Sequence, residues 1–274
     1  IEIAKRAKFA VVNHYQVTFL VVPTVFFALA TVAVGLRWRV RRMKKTSFAT
    51  EDYLCAFSLL LGYAMIGLIF FLVYETGQGM PTSFVMQHHP EVLTLWMKTT
   101  FSLNMVWTTS VAAIQISLLF FYLRLFHVIK WARYACYVLI AFIIGWYLST
   151  IITWFNSCHP FPKFFDPTRA GKCSVDTHKV CSATGFIHIG FDVFILIIPV
   201  PAIWKLKMAL QKRLMIIGVL GLGVFATICS IIRMACIMNF WVEDAMLDPI
   251  QGAWGPFLFQ TLEVAIGIFC CCIP

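Results

Sequence analysis

Asp192 and Glu263 lie near the middle of two apolar stretches, FIHIGFDVFILIIPVP and FLFQTLEVAIGIFCCC, that belong to segments long enough to cross a membrane. A charged side chain at bilayer depth costs at least about 2.5–3.5 kcal/mol, so a chain that keeps two of them has a use for them. His188 precedes Asp192 by four residues, which places both on one helix face about one turn apart. Gln260 stands one turn from Glu263 in the same way. Arg233, in the apolar segment between them, falls at a depth where it could face Asp192, Glu263 or His188. A carboxyl group in an apolar cavity holds its proton more tightly than in water and can act as a general acid near neutrality. An Arg or His neighbour then decides which carboxylate stays ionised. The competing reading is that Arg233 pairs with a carboxylate and the cluster pins helices together. The two readings are compatible, and a pocket beside the cluster distinguishes them.

A second group of side chains could line such a pocket. Asn104, Trp107, Thr108, Thr109 and Gln115 lie on one apolar segment, and Trp146, Tyr147, Trp154 and Asn156 on the next. Aromatic faces with a few amides could stabilise a developing cation; the same residues also serve as packing and as interfacial belts. Tyr63, in the middle of another segment, is a further candidate.

The elements that must position these groups follow from composition. The 274 residues are 61% hydrophobic and 12% charged, which excludes a soluble domain. Seven apolar stretches, at about 14–37, 52–75, 99–123, 134–157, 179–203, 214–240 and 254–273, are long enough to span. No alternating ten-residue pattern of a β-barrel appears, so all seven are read as helices of one all-α domain, 1–274. Pro23 is expected to bend the first helix, and Pro199 and Pro201 to kink or end the fifth before Trp204. Gly218, Gly221 and Gly223 would let the sixth approach a neighbour closely. Glu51 and Asp52, after Thr50, read as charges complementing the dipole of the second helix, with a gating role as the alternative.

The formal net charge of +10 reflects loop lysines and arginines rather than a nucleic-acid surface. Thirteen of them fall in alternate loops: Arg37, Arg39, Arg41, Arg42, Lys44 and Lys45; Arg124, Lys130 and Arg133; Lys205, Lys207, Lys212 and Arg213. The opposite loops hold five: Lys98, Lys163, Arg169, Lys172 and Lys179. The positive-inside rule therefore puts the N-terminus outside or in a lumen and the C-terminus in the cytoplasm. The expected location is the endoplasmic reticulum, another endomembrane or the plasma membrane. The longer outer loops, at about 76–98 and 158–178, suggest a lid over an outward pocket. Cys158 and Cys173 bracket the second and could form a disulfide, with Cys181 as a competing partner. Cys270, Cys271 and Cys272 could be palmitoylated or remain free. No Cys/His spacing typical of zinc occurs, and His88, His89 and Glu91 read as a solvated loop, so no metal and no cofactor are expected.

Several stretches taken together carry a resemblance: RWRVRR…EDYL, SLLFFYLRLF, a Cys–His–Pro…Cys loop, FDVFILIIPVPAIWKLKM, SIIRM and LEVAIGIFCCCIP. Their order resembles the fungal rhodopsin-like-domain family of seven-helix membrane proteins. That family includes receptor-like members, some with a cysteine-rich CFEM domain. It also includes small stand-alone members from secondary-metabolite clusters such as that for satratoxin. The resemblance covers nearly the whole chain. It implies the seven-helix fold and a membrane location, and carries over Asp192, Pro199, Pro201, Arg233 and Glu263 as motif positions. Two departures stand out. The family's Lys–Ser in the third helix is replaced by the region of Gln115 and Ser117, and its Gly-x-Gly-x-His survives as GQG followed by Met80. The seventh helix lacks a lysine for a retinal Schiff base, and the Asp-Arg-Tyr and Asn-Pro-x-x-Tyr switches of animal G-protein-coupled receptors are missing.

The expected function is an intramembrane acid–base enzyme of fungal specialised metabolism. It would cyclise or isomerise a lipophilic terpenoid- or polyketide-like molecule in an outer-half pocket. Asp192 or Glu263 would donate the proton, with His188 and Arg233 tuning or orienting. The alternative is a receptor-like sensor of a lipophilic or surface cue, coupled to a cytoplasmic partner through Arg124, Lys130, Arg133 and the loop between the fifth and sixth helices. A proton-coupled transporter is third, without an internal repeat to support it.

Overall fold

In hydrocarbon every backbone N–H and C=O needs a partner within the protein, and a helix supplies one locally. The computed structural model describes residues 9, 11, 13–45, 49–166, 170–173, 177–201, 210–242 and 248–273. Expectations that rest on Arg169, Trp204, Lys205, Lys207 and the side chains of Lys212 and Arg213 lie outside the described residues. The helices are α1 (His14–Met43), α2 (Thr50–Thr76), α3 (Thr82–His88), α4 (Val92–Leu125), α5 (Lys130–Phe155), α6 (Thr177–Ile197), α7 (Leu210–Val242), α8 (Pro249–Gly252) and α9 (Trp254–Cys272). Seven helical segments are long and apolar enough to cross a membrane: α1, α2, α4, α5, α6, α7 and the α8–α9 stretch. The protein is an integral membrane protein of the all-α class.

The helices are not equivalent. In α4 and the α8–α9 stretch, 72% and 67% of the most apolar window is buried, against 28–33% in the other five. These two therefore form the centre, α4 packing most extensively on α2, and α9 on α7, α1, α2 and α4. The central positions matter because polar side chains on central helices face protein rather than lipid.

Three boundaries depart from expectation. RWRVRRM does not form a loop but continues α1 to Met43. Arginine is a good helix former, and Arg37 and Arg41 at i, i+4 meet carboxylates across the helix pair. The second departure is α4, which starts at Val92, seven residues before the predicted span. The third is the short α3, inside what reads as an irregular loop. As expected, α6 gives way to a turn at Ile198, just before Pro199, whose missing N–H cannot continue the ladder. Pro23 lies within α1, which continues through it.

At the arginine-rich end of the bundle, Glu51 and Asp52 do more than complement a dipole. Asp52 Oδ2 accepts the Ala49 N–H at 2.9 Å, capping α2. Its Oδ1 accepts Arg37 Nε at 2.6 Å and Arg41 Nε at 2.9 Å. Glu51 Oε1 accepts Arg41 Nη2 at 3.0 Å and Arg124 Nη1 at 3.1 Å. Arg37 Nη1 also donates to the Cys271 carbonyl at 2.7 Å. One network thus ties α1, α2, α4 and α9 together.

Close packing of α1 on α2 depends on Gly62. A methyl there would overlap the Phe27 ring. Gly62→Ala is expected to destabilise the protein by about 1–3 kcal/mol, read as a lower midpoint of thermal unfolding in detergent; an unchanged midpoint would show that Phe27 swings away freely. Gly223 plays a similar part against Leu196, whereas Gly221 meets open space, so the expected close approach applies to one side of α7.

Candidate functional site

Helical spacing gathers the polar side chains on facing stripes. On α4, Asn104, Thr108 and Gln115 follow one another at i, i+4 and i+11, with Trp107 beside them. On α5, Trp146, Thr150 and Trp154 repeat at i, i+4 and i+8, and all three are buried. His188 and Asp192 share a face of α6, Ser230 and Arg233 a face of α7, and Gln260 and Glu263 a face of α9.

These stripes meet at Glu263, which is buried. Arg233 Nε donates to its Oε2 at 3.2 Å. Ser230 Oγ lies 2.8 Å from Glu263 Oε1 and 3.2 Å from Asp192 Oδ2. Gln115 Nε2 donates to Asp192 Oδ1 at 2.8 Å. Ser230 has a single hydroxyl proton and serves one carboxylate at a time. His188 Nδ1, 3.3 Å from Glu263 Oε1 and 3.7 Å from Asp192 Oδ2, stands ready to serve the other. The imidazole lies between Trp107 and Trp146, at ring-centroid distances of 5.4 and 5.6 Å. Trp107 also carries the Arg233 guanidinium, 4.2 Å from its ring centroid.

The charges do not close by themselves. Two carboxylates face one guanidinium, and a buried group with net charge is costly. Charge balance of these three groups alone would call for one added proton. The donor atoms of His188, Asp192 and Glu263 lie within 4.8 Å of one another, close enough to ligate a metal ion. Their carboxylate oxygens, however, already face Gln115, Ser230 and Arg233, and the guanidinium beside Glu263 repels a second cation. The donor set suits a proton better than a divalent ion.

Two cavities flank the cluster. A small one of about 50 Å³ touches His188, Asp192, Glu263 and Gln115 and is large enough to admit water. A large one of about 620 Å³ lies on the other side, with Trp107, Arg233 and Gln260 on the wall nearest the cluster. It extends along α4 from Thr108 to Trp96, about 18 Å at 1.5 Å per residue. None of Asp192, Glu263 and His188 lines this larger space; Arg233, which holds Glu263, and Trp107, which packs on His188, are wall residues that touch the cluster.

Cys158, Lys163, Phe164 and Cys173 of the loop after α5 line the large cavity. Strands β1 (Cys158–His159) and β2 (Lys172–Cys173) pair antiparallel, and Cys158 and Cys173 form a disulfide. Phe161, Phe164 and Phe165 of the FPKFF run pack around Phe101 of α4, with ring centroids 5.5–5.7 Å from it. Cys181, the competing partner, is a free thiol on the cavity wall. Cys158→Ser with Cys173→Ser is expected to cost about 3 kcal/mol through loop-closure entropy, read as earlier proteolysis of the 158–173 loop; an unchanged cleavage rate would show that the phenylalanines hold the loop alone.

The candidate residues separate into groups. Asn104, Trp107, Thr108, Trp154, Gln260 and Arg233 line the large cavity. Gln115, His188, Asp192 and Glu263 line the small one. Trp146 packs on His188 instead of lining either. Tyr147 lies away from both, its hydroxyl 3.4 Å from Thr109, because one residue along a helix turns the side chain by about 100°. Tyr63 is 47% exposed on the outer surface of the bundle and bonds Thr31 at 2.6 Å, which removes it as a pocket residue. Asn156 is exposed and donates to the Ile152 carbonyl. Sequence reasoning missed Ser230, signalled by its i, i+3 spacing to Arg233, and Thr150, signalled by its place between Trp146 and Trp154.

Among known families, the profile described as Fungal rhodopsin domain matches residues 36–274. Fugralins biosynthesis cluster protein 2 of Gibberella zeae is 32% identical over 119 residues, covering 43% of this chain and 28% of that protein. Polyenoic acids biosynthesis gene cluster protein Ba17b of Metarhizium anisopliae is 22% identical over 265 residues, covering 91% of this chain and 70% of that protein. A SAT4 family membrane protein of Emericella nidulans is 24% identical over 162 residues, covering 58% of this chain and 40% of that protein. The chain thus spans less than half the length of the first and third of these relatives. No solved structure matches.

Proposed function

We propose that this chain, which belongs to the fungal rhodopsin domain family, is an intramembrane enzyme of fungal specialised metabolism. It takes a lipophilic small molecule into the large cavity and cyclises or isomerises it by acid–base chemistry. Relatives named for fugralin and polyenoic acid biosynthesis clusters support the setting. The observation that carries the reading is a cluster of two carboxylates, a histidine and one guanidinium whose Arg233 also lines a cavity of about 620 Å³.

The reaction is balanced in protons. The cluster gives a proton to an alkene carbon or carbonyl oxygen of the substrate. The face of Trp154, with the Phe101 and Phe257 rings of the wall, stabilises the resulting cation. Loss of a C–H proton to the same cluster ends the reaction, with no oxidant or reductant consumed. Arg233 stands between Glu263 and the cavity, so the acid reaches substrate when Arg233 turns off Glu263 Oε2. Asp192 and His188 resupply the proton, and the small cavity gives water access to them. By the positive-inside rule the arginine-rich end faces the cytoplasm and the large cavity faces the outside or a lumen.

The test is the pair Asp192→Asn and Glu263→Gln, each checked for folding. Loss of product in both supports the reading, and unchanged product in both overturns it.

A sensor is the second reading, favoured by the ion network at the arginine-rich end. That network holds α4 and α9, which also wall the cavity, so a ligand could be felt at the far end. A sensor releases its ligand chemically unchanged, which separates the two readings.

A further inference from the structure

We infer that the large cavity takes a lipophilic monocarboxylate, whose carboxylate is held by the guanidinium of Arg233. This rests on the proposed role of the cavity and names the class of molecule it serves. Three buried polar atoms on residues of its wall lack a hydrogen-bond partner among the described residues: Arg233 Nη2, Trp107 Nε1 and Thr150 Oγ1. The guanidinium and indole N–H groups can only donate, and the threonine hydroxyl can donate. Unpaired buried donors are costly; as the structure stands the three are sealed from the cavity, and a small turn of their side chains toward an acceptor there would satisfy them.

Charge points the same way. Among the described residues of the wall, Lys163 and Arg233 are the charged side chains, both are cationic, and none is a carboxylate. The amides nearby are already engaged: Gln260 Nε2 lies 3.4 Å from Asn104 Oδ1, and Asn104 Nδ2 donates to the Thr100 carbonyl at 2.9 Å. Before a ligand arrives Arg233 is held by Glu263 and by the face of Trp107. The Arg233 charge is already shared with Glu263, so a ligand carboxylate calls for one further proton on the Asp192, His188 and Glu263 cluster, and a diphosphate for more than one. The rest of the wall, including Phe101, Trp154, Ile237 and Phe257, suits a hydrocarbon body.

The carboxylate also has a mechanistic consequence. By drawing Arg233 toward the cavity it weakens the hold on Glu263 Oε2 and uncovers the acid when substrate is present.

Binding of cis-parinaric acid, a fluorescent polyene fatty acid, tests this on the full chain in nanodiscs, with empty nanodiscs subtracted. Its methyl ester and a long-chain alkyl phosphate are the comparison probes. The acid is expected to bind at least about 10-fold more tightly than the ester, as charge-assisted hydrogen bonds require. Arg233→Gln is expected to bring that ratio close to one. Trp107→Phe combined with Thr150→Val, which leaves the Arg233–Glu263 pair intact, is expected to weaken the acid several-fold and spare the ester. Equal binding of acid and ester, a preference that survives Arg233→Gln, or tighter binding of the alkyl phosphate would overturn the inference. If Arg233→Gln does not fold, unchanged acid binding by the Trp107/Thr150 variant overturns it instead. Because binding is read without turnover, a lost acid preference beside a turnover-dead Glu263→Gln variant sinks the carboxylate assignment alone. A retained preference beside an active Glu263→Gln variant sinks the enzymatic reading alone.

Discussion

Glu263→Gln is expected to lower turnover by about 10²–10⁴-fold while leaving the protein folded, the range typical of losing a positioned general acid. The reason is charge arithmetic. Arg233 contributes one positive charge, and Asp192 and Glu263 two negative ones, so the native cluster needs a proton to be neutral. Glutamine keeps the shape of Glu263 and offers an oxygen to Arg233 and Ser230. With one carboxylate left against one guanidinium, the cluster is neutral without the proton and has none to give. Asp192→Asn follows the same arithmetic and is expected to match it. The double variant differs: Arg233 is then buried without a countercharge, and the expected cost is about 3–5 kcal/mol of stability. Activity assays and thermal unfolding of the two single variants and the double variant check all three results. Full activity in either folded single variant, or a double variant as stable as the singles, would be incompatible with a proton shared across the cluster.

Asp52→Ala is expected to be the most damaging single substitution at the opposite end, costing about 3–5 kcal/mol. Asp52 is 1% exposed and accepts from Arg37, Arg41 and the capping N–H of Ala49. Its loss leaves Arg37, itself buried, with the Cys271 carbonyl but no carboxylate. Glu51→Ala should cost less, because Arg124 is 57% exposed at the side chain and regains solvent. Thermal unfolding of the two variants side by side gives the order; equal midpoints would show that the network contributes little beyond its exposed pairs.

The two ends of the molecule differ in how far they could be read in advance. Asp192, His188, Arg233 and Glu263 were legible because lipid makes a buried charge costly, and helix rise alone places residues at a common depth. The Arg37–Asp52 pair was not, because a run of arginines after an apolar segment reads as a loop, and here it continues a helix. The rotation of each helix was also hidden. Segments apolar on all sides carry little amphipathic signal, so sequence could not separate the inward Trp146 from Tyr147 or turn Tyr63 outward. The large cavity was the least legible feature. It arises where α4, α5, α6, α7 and α9 fail to fill space beside the Phe-rich loop, and no single segment encodes that.

Turnover of a lipophilic substrate by the Glu263 cluster is tested by chromatography with mass spectrometry of small molecules that co-purify from the producing fungus with the native chain and with Glu263→Gln. Cyclisation or isomerisation conserves mass. A pair of lipophilic molecules of equal mass and different retention is therefore expected, the substrate enriched on Glu263→Gln and the product on the native protein. The same unchanged molecule on both proteins would overturn the enzymatic reading and leave a binding protein in its place.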